Sequence, residues 1–110
     1  MTIRKLDKSE WNEFFDSMSR LLEDREAEIE VTSLAVGDQI EAEWLPLIGI
    51  TYDPKDDLLE VALEGVDHLI EKPREINVDD TGVELNSVEI VDAEGDRQIV
   101  RLREPMMLPA

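Results

Sequence analysis

The chain has 110 residues, 28 of them acidic and 11 basic, for a formal net charge of −17, and it has no cysteine. That length suits a single domain over residues 1–110 exposing about 6,200 Å², so each surplus negative charge occupies roughly 360 Å², a field that repels phosphates and anionic headgroups and excludes nucleic acid and membranes as partners. Disulfides, thiolate metal sites and cysteine nucleophiles are impossible, Met1 to Asp7 has no apolar h-region behind its two basic residues and no later apolar run approaches membrane-spanning length, so a cytoplasmic protein is expected.

Residues 8–24 carry Trp11, Phe14, Phe15, Met18, Leu21 and Leu22 at i, i+3, i+4, i+7, i+10 and i+11, the apolar stripe of an amphipathic helix. Asp7 followed by Glu10 resembles a capping box at its start. Everything downstream reads as strand, so the stripe is expected to lie across a sheet.

Residues 28–45 alternate with period two around Val36-Gly37-Asp38-Gln39, a two-residue turn with Gly first. Pairing Val36 with Gln39 sets Ala35, Ser33 and Val31 opposite Ile40, Ala42 and Trp44 on one face, leaving Glu30, Glu41 and Glu43 on the other. A second hairpin, residues 47–64, turns at Asp53-Pro54-Lys55-Asp56, and a four-residue loop pairs Tyr52 with Leu59, Ile50 with Val61 and Ile48 with Leu63.

Between residues 65 and 82, Val66, Leu69 and Ile70 stand at helical spacing before Pro73, predicting one short helical turn. Ile76 and Val78 suggest an edge strand after it. The third hairpin, residues 83–104, turns at Ala93-Glu94-Gly95; parity brings Val88 opposite Val100 and Ile90 opposite Gln98, with Glu89, Arg97, Arg101 and Arg103 outward. Pro105 is expected to end the last strand.

Candidate chemistry is sparse. His68 is the single histidine; beside Asp67 it is a tentative ligand site or general base. Glu30, Glu41, Glu43 and Glu60 read as a solvated acidic face, and the acidic runs at 53–57 and 92–96 lack the order of a calcium loop. No motif assigns a catalytic residue, cofactor or metal ligand. Arg97, Arg101 and Arg103 are expected to pair with Glu89 and other local acids. Trp44 falls in phase with a core, whereas Leu34, Leu45 and Leu47 share the opposite parity and form a tentative interaction surface.

The run Gly37 to Ile50 (Gly-Asp-Gln-Ile-Glu-Ala-Glu-Trp-Leu-Pro-Leu-Ile-Gly-Ile), the turn Tyr52-Asp53-Pro54-Lys55-Asp56-Asp57, the pair of segments Asp67-His68-Leu69-Ile70 and Pro73-Arg74-Glu75-Ile76, and the ending Arg97-Gln98-Ile99-Val100-Arg101-Leu102-Arg103 resemble a family of small prokaryotic proteins known as domain of unknown function 5335. The likeness extends over nearly the whole chain. It implies a stand-alone soluble protein and carries over no activity, cofactor or catalytic residue.

These readings predict an α+β fold: an N-terminal amphipathic helix packed on about six antiparallel strands in three hairpins, forming a curved sheet or a small, partly open barrel. The expected function is a non-enzymatic interaction module that binds a protein or itself through a strand edge or through Leu34, Leu45 and Leu47. A small ligand-binding protein or enzyme with a cleft at His68 is the alternative, and a nucleic-acid mimic the weaker one. The charge surplus itself is testable. Raising NaCl from about 10 to about 500 mM is expected to raise the melting temperature by screening self-repulsion; a flat or falling melting temperature refutes it.

Overall fold

A computed structural model describes residues 2–22, 25–35 and 37–108 of the chain. In order these form β1 (Thr2–Lys5), a 3-10 turn (Lys8–Glu10), α1 (Trp11–Ser19), β2 (Glu26–Ser33), β3 (Gly37–Asp53), β4 (Leu58–Leu63), β5 (Val66–Glu71), β6 (Pro73–Asp80), β7 (Glu84–Asp92) and β8 (Arg97–Met107). The eight strands join one sheet in the order β1-β6-β7-β8-β2-β3-β4-β5, with every neighbouring pair antiparallel. The expected helix lying across about six strands in three hairpins is therefore overturned. Eight strands carry the fold, and the one α-helix among the described residues is 9 residues long and packs chiefly beside a single strand, β3.

The sheet doubles over because β3 cannot run straight. Against β2 it carries an extra residue at Glu41 and another within Glu43–Trp44, and against β4 an extra residue at Ile48. Each extra residue is a bulge that bends and twists the strand, and Trp44 adopts a left-handed φ of 50° at the bend. The first part of β3 pairs with β2 and the second with β4. In a flat sheet, four strand spacings of about 4.8 Å would part β5 from β8 by roughly 19 Å; instead a side chain of one hydrogen-bonds a side chain of the other.

The bulges also correct the first hairpin. Val31 pairs with Gln39, Glu30 with Ile40 and Ile29 with Ala42, and Ser33 pairs with Gly37 across a three-residue loop rather than the expected two-residue turn. Val36, on which that turn was placed, lies outside the described residues. Because the phase flips at Glu41, Ile40 is 50% exposed while Ala42 is buried. Trp44 is half-exposed, with the Arg103 guanidinium 5.8 Å from its ring centroid, not a core residue in phase with Ile40.

The second and third hairpins pair as their alternation predicts. Tyr52 faces Leu59 and Ile50 faces Val61, with only Ile48 displaced by its bulge. Val88 faces Val100 and Ile90 faces Gln98 around the Ala93–Gly95 loop, where Gly95 takes a φ of +86°. The segment read as a helical turn is strand β5. Gly65, at φ +82°, closes a tight turn from β4, and Val66, His68 and Ile70 face inward on alternate residues. β6 is an interior strand between β1 and β7. β1 itself, anchored where Arg4 Nε and Nη2 each meet the buried Asp80 carboxylate at 3.1 Å, has no counterpart in the periodicity reading. β8 continues past Pro105, which falls in a stretch without regular pairing, and rejoins β7 at Met106.

Inner residues of both wings, such as Val78, Ile90 and Val100 on one side and Ile50, Val61 and Ile70 on the other, meet Trp11, Phe15 and Met18 of the helix in one core. The helix has a second task at its end. Beyond Pro46 the strand β3 has left β2, so one of its edges is open; there Ser19 Oγ donates to the Ile50 carbonyl and accepts the Ile50 N–H, both at 3.0 Å. A hydroxyl thus replaces a strand. Gly49 makes room for it, since a Cβ there would stand 3.3 Å from Ser19 Oγ. The helix ends at that contact: Leu21 is exposed, and the expected continuation to Asp24 runs outside the described residues. Ser19→Ala leaves two backbone groups beside the buried Ile50 without partners, so a loss of about 1 to 3 kcal/mol in denaturant unfolding is expected; an unchanged midpoint refutes the role.

Candidate functional site

β5 is the last strand of the sheet, and among the described residues its backbone pairs only with β4. Its inner face brings His68 over the sheet at Gln98, a side chain only 7% exposed on β8. A buried amide on an apolar face must find partners, and Gln98 finds two. Its Nε2 donates to Asp92 Oδ2 at 3.1 Å, and its Oε1 meets His68 Nε2. Asp92 is fixed in turn by the loop it begins, because its Oδ1 accepts the backbone N–H groups of Glu94 (2.9 Å) and Asp96 (3.0 Å).

The direction of this relay follows from its anchored end. A carboxylate accepts only, so Gln98 must turn its NH₂ towards Asp92 and its carbonyl towards His68. His68 then carries its proton on Nε2 and keeps Nδ1 as an acceptor in the neutral ring. The relay pins the wing that ends in β5 to the wing that contains β7 and β8.

A groove of about 340 Å³ runs beside it, between Leu69, Ile70 and Glu71 of β5 and Asp92, Glu94 and Gln98 of the β7–β8 hairpin. Its corner is stiff. Lys72 takes a left-handed φ of 51° and donates its N–H to the Asp57 carbonyl at 2.8 Å as the chain passes into β6. Asp57 also accepts the Tyr52 hydroxyl at 2.9 Å. Burial first, then that hydrogen bond, pushes the Tyr52 phenol up to about 12.

The residues singled out from sequence do not gather at one place. Leu34 is fully exposed in the β2–β3 loop, Leu45 is half-buried against the core and Leu47 lies within it at 4% exposure, so the three share no surface. Glu30 pairs with Arg101, Glu41 and Glu43 are exposed on β3, and Glu60 lies across from Leu69 on the outer face of β4. No cluster of three His, Asp or Glu side chains suited to a metal occurs among the described residues. Arg97 pairs with Glu89 and Arg103 with Glu26. Gln98 and Asp92 were legible only in part: the register places Gln98 inward opposite Ile90, and its need for polar partners is the signal that points to a site.

The family model for a family of unknown function, DUF5335, matches residues 2–110. The chain belongs to that family. An uncharacterized protein of Aquifex aeolicus (strain VF5) is 40% identical to this DUF5335 member over 110 residues, covering 99% of each chain. No solved structure matches it. No helix among its described residues is long and apolar enough to cross a membrane.

The relay makes a specific prediction for this DUF5335 protein. Nitrogen NMR of the neutral His68 ring is expected to show one tautomer, protonated at Nε2, in the native chain and a mixture in Gln98→Leu. A mixture in both refutes the relay, and a thermal melt of the variant separates that result from unfolding.

Proposed function

We propose that this protein is a non-enzymatic binding module whose working surface is the outer edge of β5, where an extended segment of a partner protein adds to the sheet as a further strand. The observation that supports this is the one-sided pairing of β5. It is a six-residue terminal strand with Leu69 54% exposed, and a groove borders its last three residues. An unpaired strand presents a row of N–H and C=O groups that a second backbone satisfies.

Other openings in the sheet are treated differently. On the second half of β3 the Ile50 N–H and carbonyl are both bonded by Ser19 Oγ, and β1 presents only four residues. The His68–Gln98–Asp92 relay holds β5 at a set height above the β7–β8 hairpin, so the edge is offered preformed, which lowers the ordering cost of binding. The relay engages His68 Nε2 within the protein, which favours a structural use of this histidine over a general base in a cleft. A cytoplasmic setting fits a chain without cysteine.

Native-state amide exchange tests the edge. Within residues 66–71, the N–H groups directed away from β4 are expected to exchange at least about a hundredfold faster than those bonded to β4. Uniform protection along β5 would mean the edge is already covered, and the reading fails.

A further inference from the structure

We infer that the segment accepted by β5 is basic, with Lys or Arg at alternate positions around an apolar residue, in the pattern basic–x–apolar–x–basic. This rests on the strand-addition reading and adds the chemistry of the occupant. Strand alternation puts Asp67, Leu69 and Glu71 on the outer face of β5 and His68 and Ile70 on the inner face. A strand laid beside β5 places one side chain next to each of these, about 4.5 to 5.5 Å away between Cβ atoms. The three outer neighbours are an acid, an exposed leucine and an acid. The favourable partners are therefore a cation, an apolar side chain and a cation, and the pattern reads the same in either strand direction.

The charges on this edge are uncompensated. On the outer face of the other wing several acids have cationic partners: Glu26 pairs with Arg103, Glu28 and Glu30 share Arg101, Glu75 pairs with Lys5 and Glu89 with Arg97. Asp67, Glu71 and Glu94 make no ion pair among the described residues, and Glu94 with Asp92 forms the far wall of the groove. A second copy of the chain, carrying −17 itself, would set acid against acid along the same edge. The acids thus exclude self-pairing and admit a cationic strand.

The test uses the whole chain and two labelled peptides, one with the core Lys-Thr-Val-Thr-Lys and one with Glu-Thr-Val-Thr-Glu. The basic peptide is expected to bind, to slow exchange of the outward β5 amides, and to weaken about tenfold or more between low and near-physiological salt. The double variant Asp67→Lys with Glu71→Lys, both exposed positions, is expected to exchange that preference for the acidic peptide while keeping its melting temperature within a few degrees. Equal binding of both peptides, insensitive to salt, overturns the basic partner while leaving strand addition standing. Freely exchanging outward amides that neither peptide slows overturn the edge as a docking site. Concentration-dependent dimers that protect the same amides make the occupant a second copy, and the inference is lost.

Discussion

Everything in this molecule depends on β3 carrying more residues than its partners can match. A regular antiparallel ladder would lay eight strands out as a twisted ribbon with one greasy face open to water, and three bulges convert that ribbon into two wings facing each other. Once the wings face, Val61 and Ile70 are buried by the same event that buries Ile90 and Val100. The left-handed Trp44 sits at the bend, where a bulky side chain pays a steric penalty that the surrounding pairing must offset. Its ring lies beneath Arg103, itself bonded to Glu26 on the strand that β3 is leaving.

Folding a sheet over leaves edges, and the chain does not treat them alike. One is filled by a serine hydroxyl at the end of the helix, which serves both a donor and an acceptor of Ile50. Among the described residues the far edge of β5 has no strand beside it. Acids such as Asp67 and Glu71, exposed on β5, are of the kind that discourages like copies from pairing at a strand edge. On the opposite wing Arg97 pairs with Glu89, Arg103 with Glu26, and Arg101 is shared by Glu28 and Glu30.

The buried relay is a matter of geometry more than of stability. A buried Gln contributes little net energy even when satisfied, yet left unpaired it would be costly, so it discriminates sharply between correct and incorrect placement of the wings. Asp92 serves its own turn with one oxygen and the relay with the other. The conformation of a local loop is thereby coupled, through Gln98, to the position of β5 at His68, 30 residues before that glutamine.

Local pattern sufficed wherever pairing partners were near in sequence. The alternation of Ile50, Tyr52, Leu59 and Val61 and the glycine at 95 determined the second and third hairpins, because a one-residue slip would have exposed every apolar side chain at once. The stripe from Trp11 to Met18 likewise marked the helix, and charge alone paired Arg97 with Glu89. The pattern misleads at β5, where Val66, Leu69 and Ile70 imitate helical spacing although Val66, His68 and Ile70 face inward with period two. It misleads at β3 as well, since a bulge leaves no mark in an alternating pattern and reverses everything after it. Which edge stays open, and that Gln98 would find His68, belonged to the tertiary structure alone. Both depend on how two wings distant in sequence come to face each other, an arrangement set by long-range packing and absent from any window of neighbouring residues.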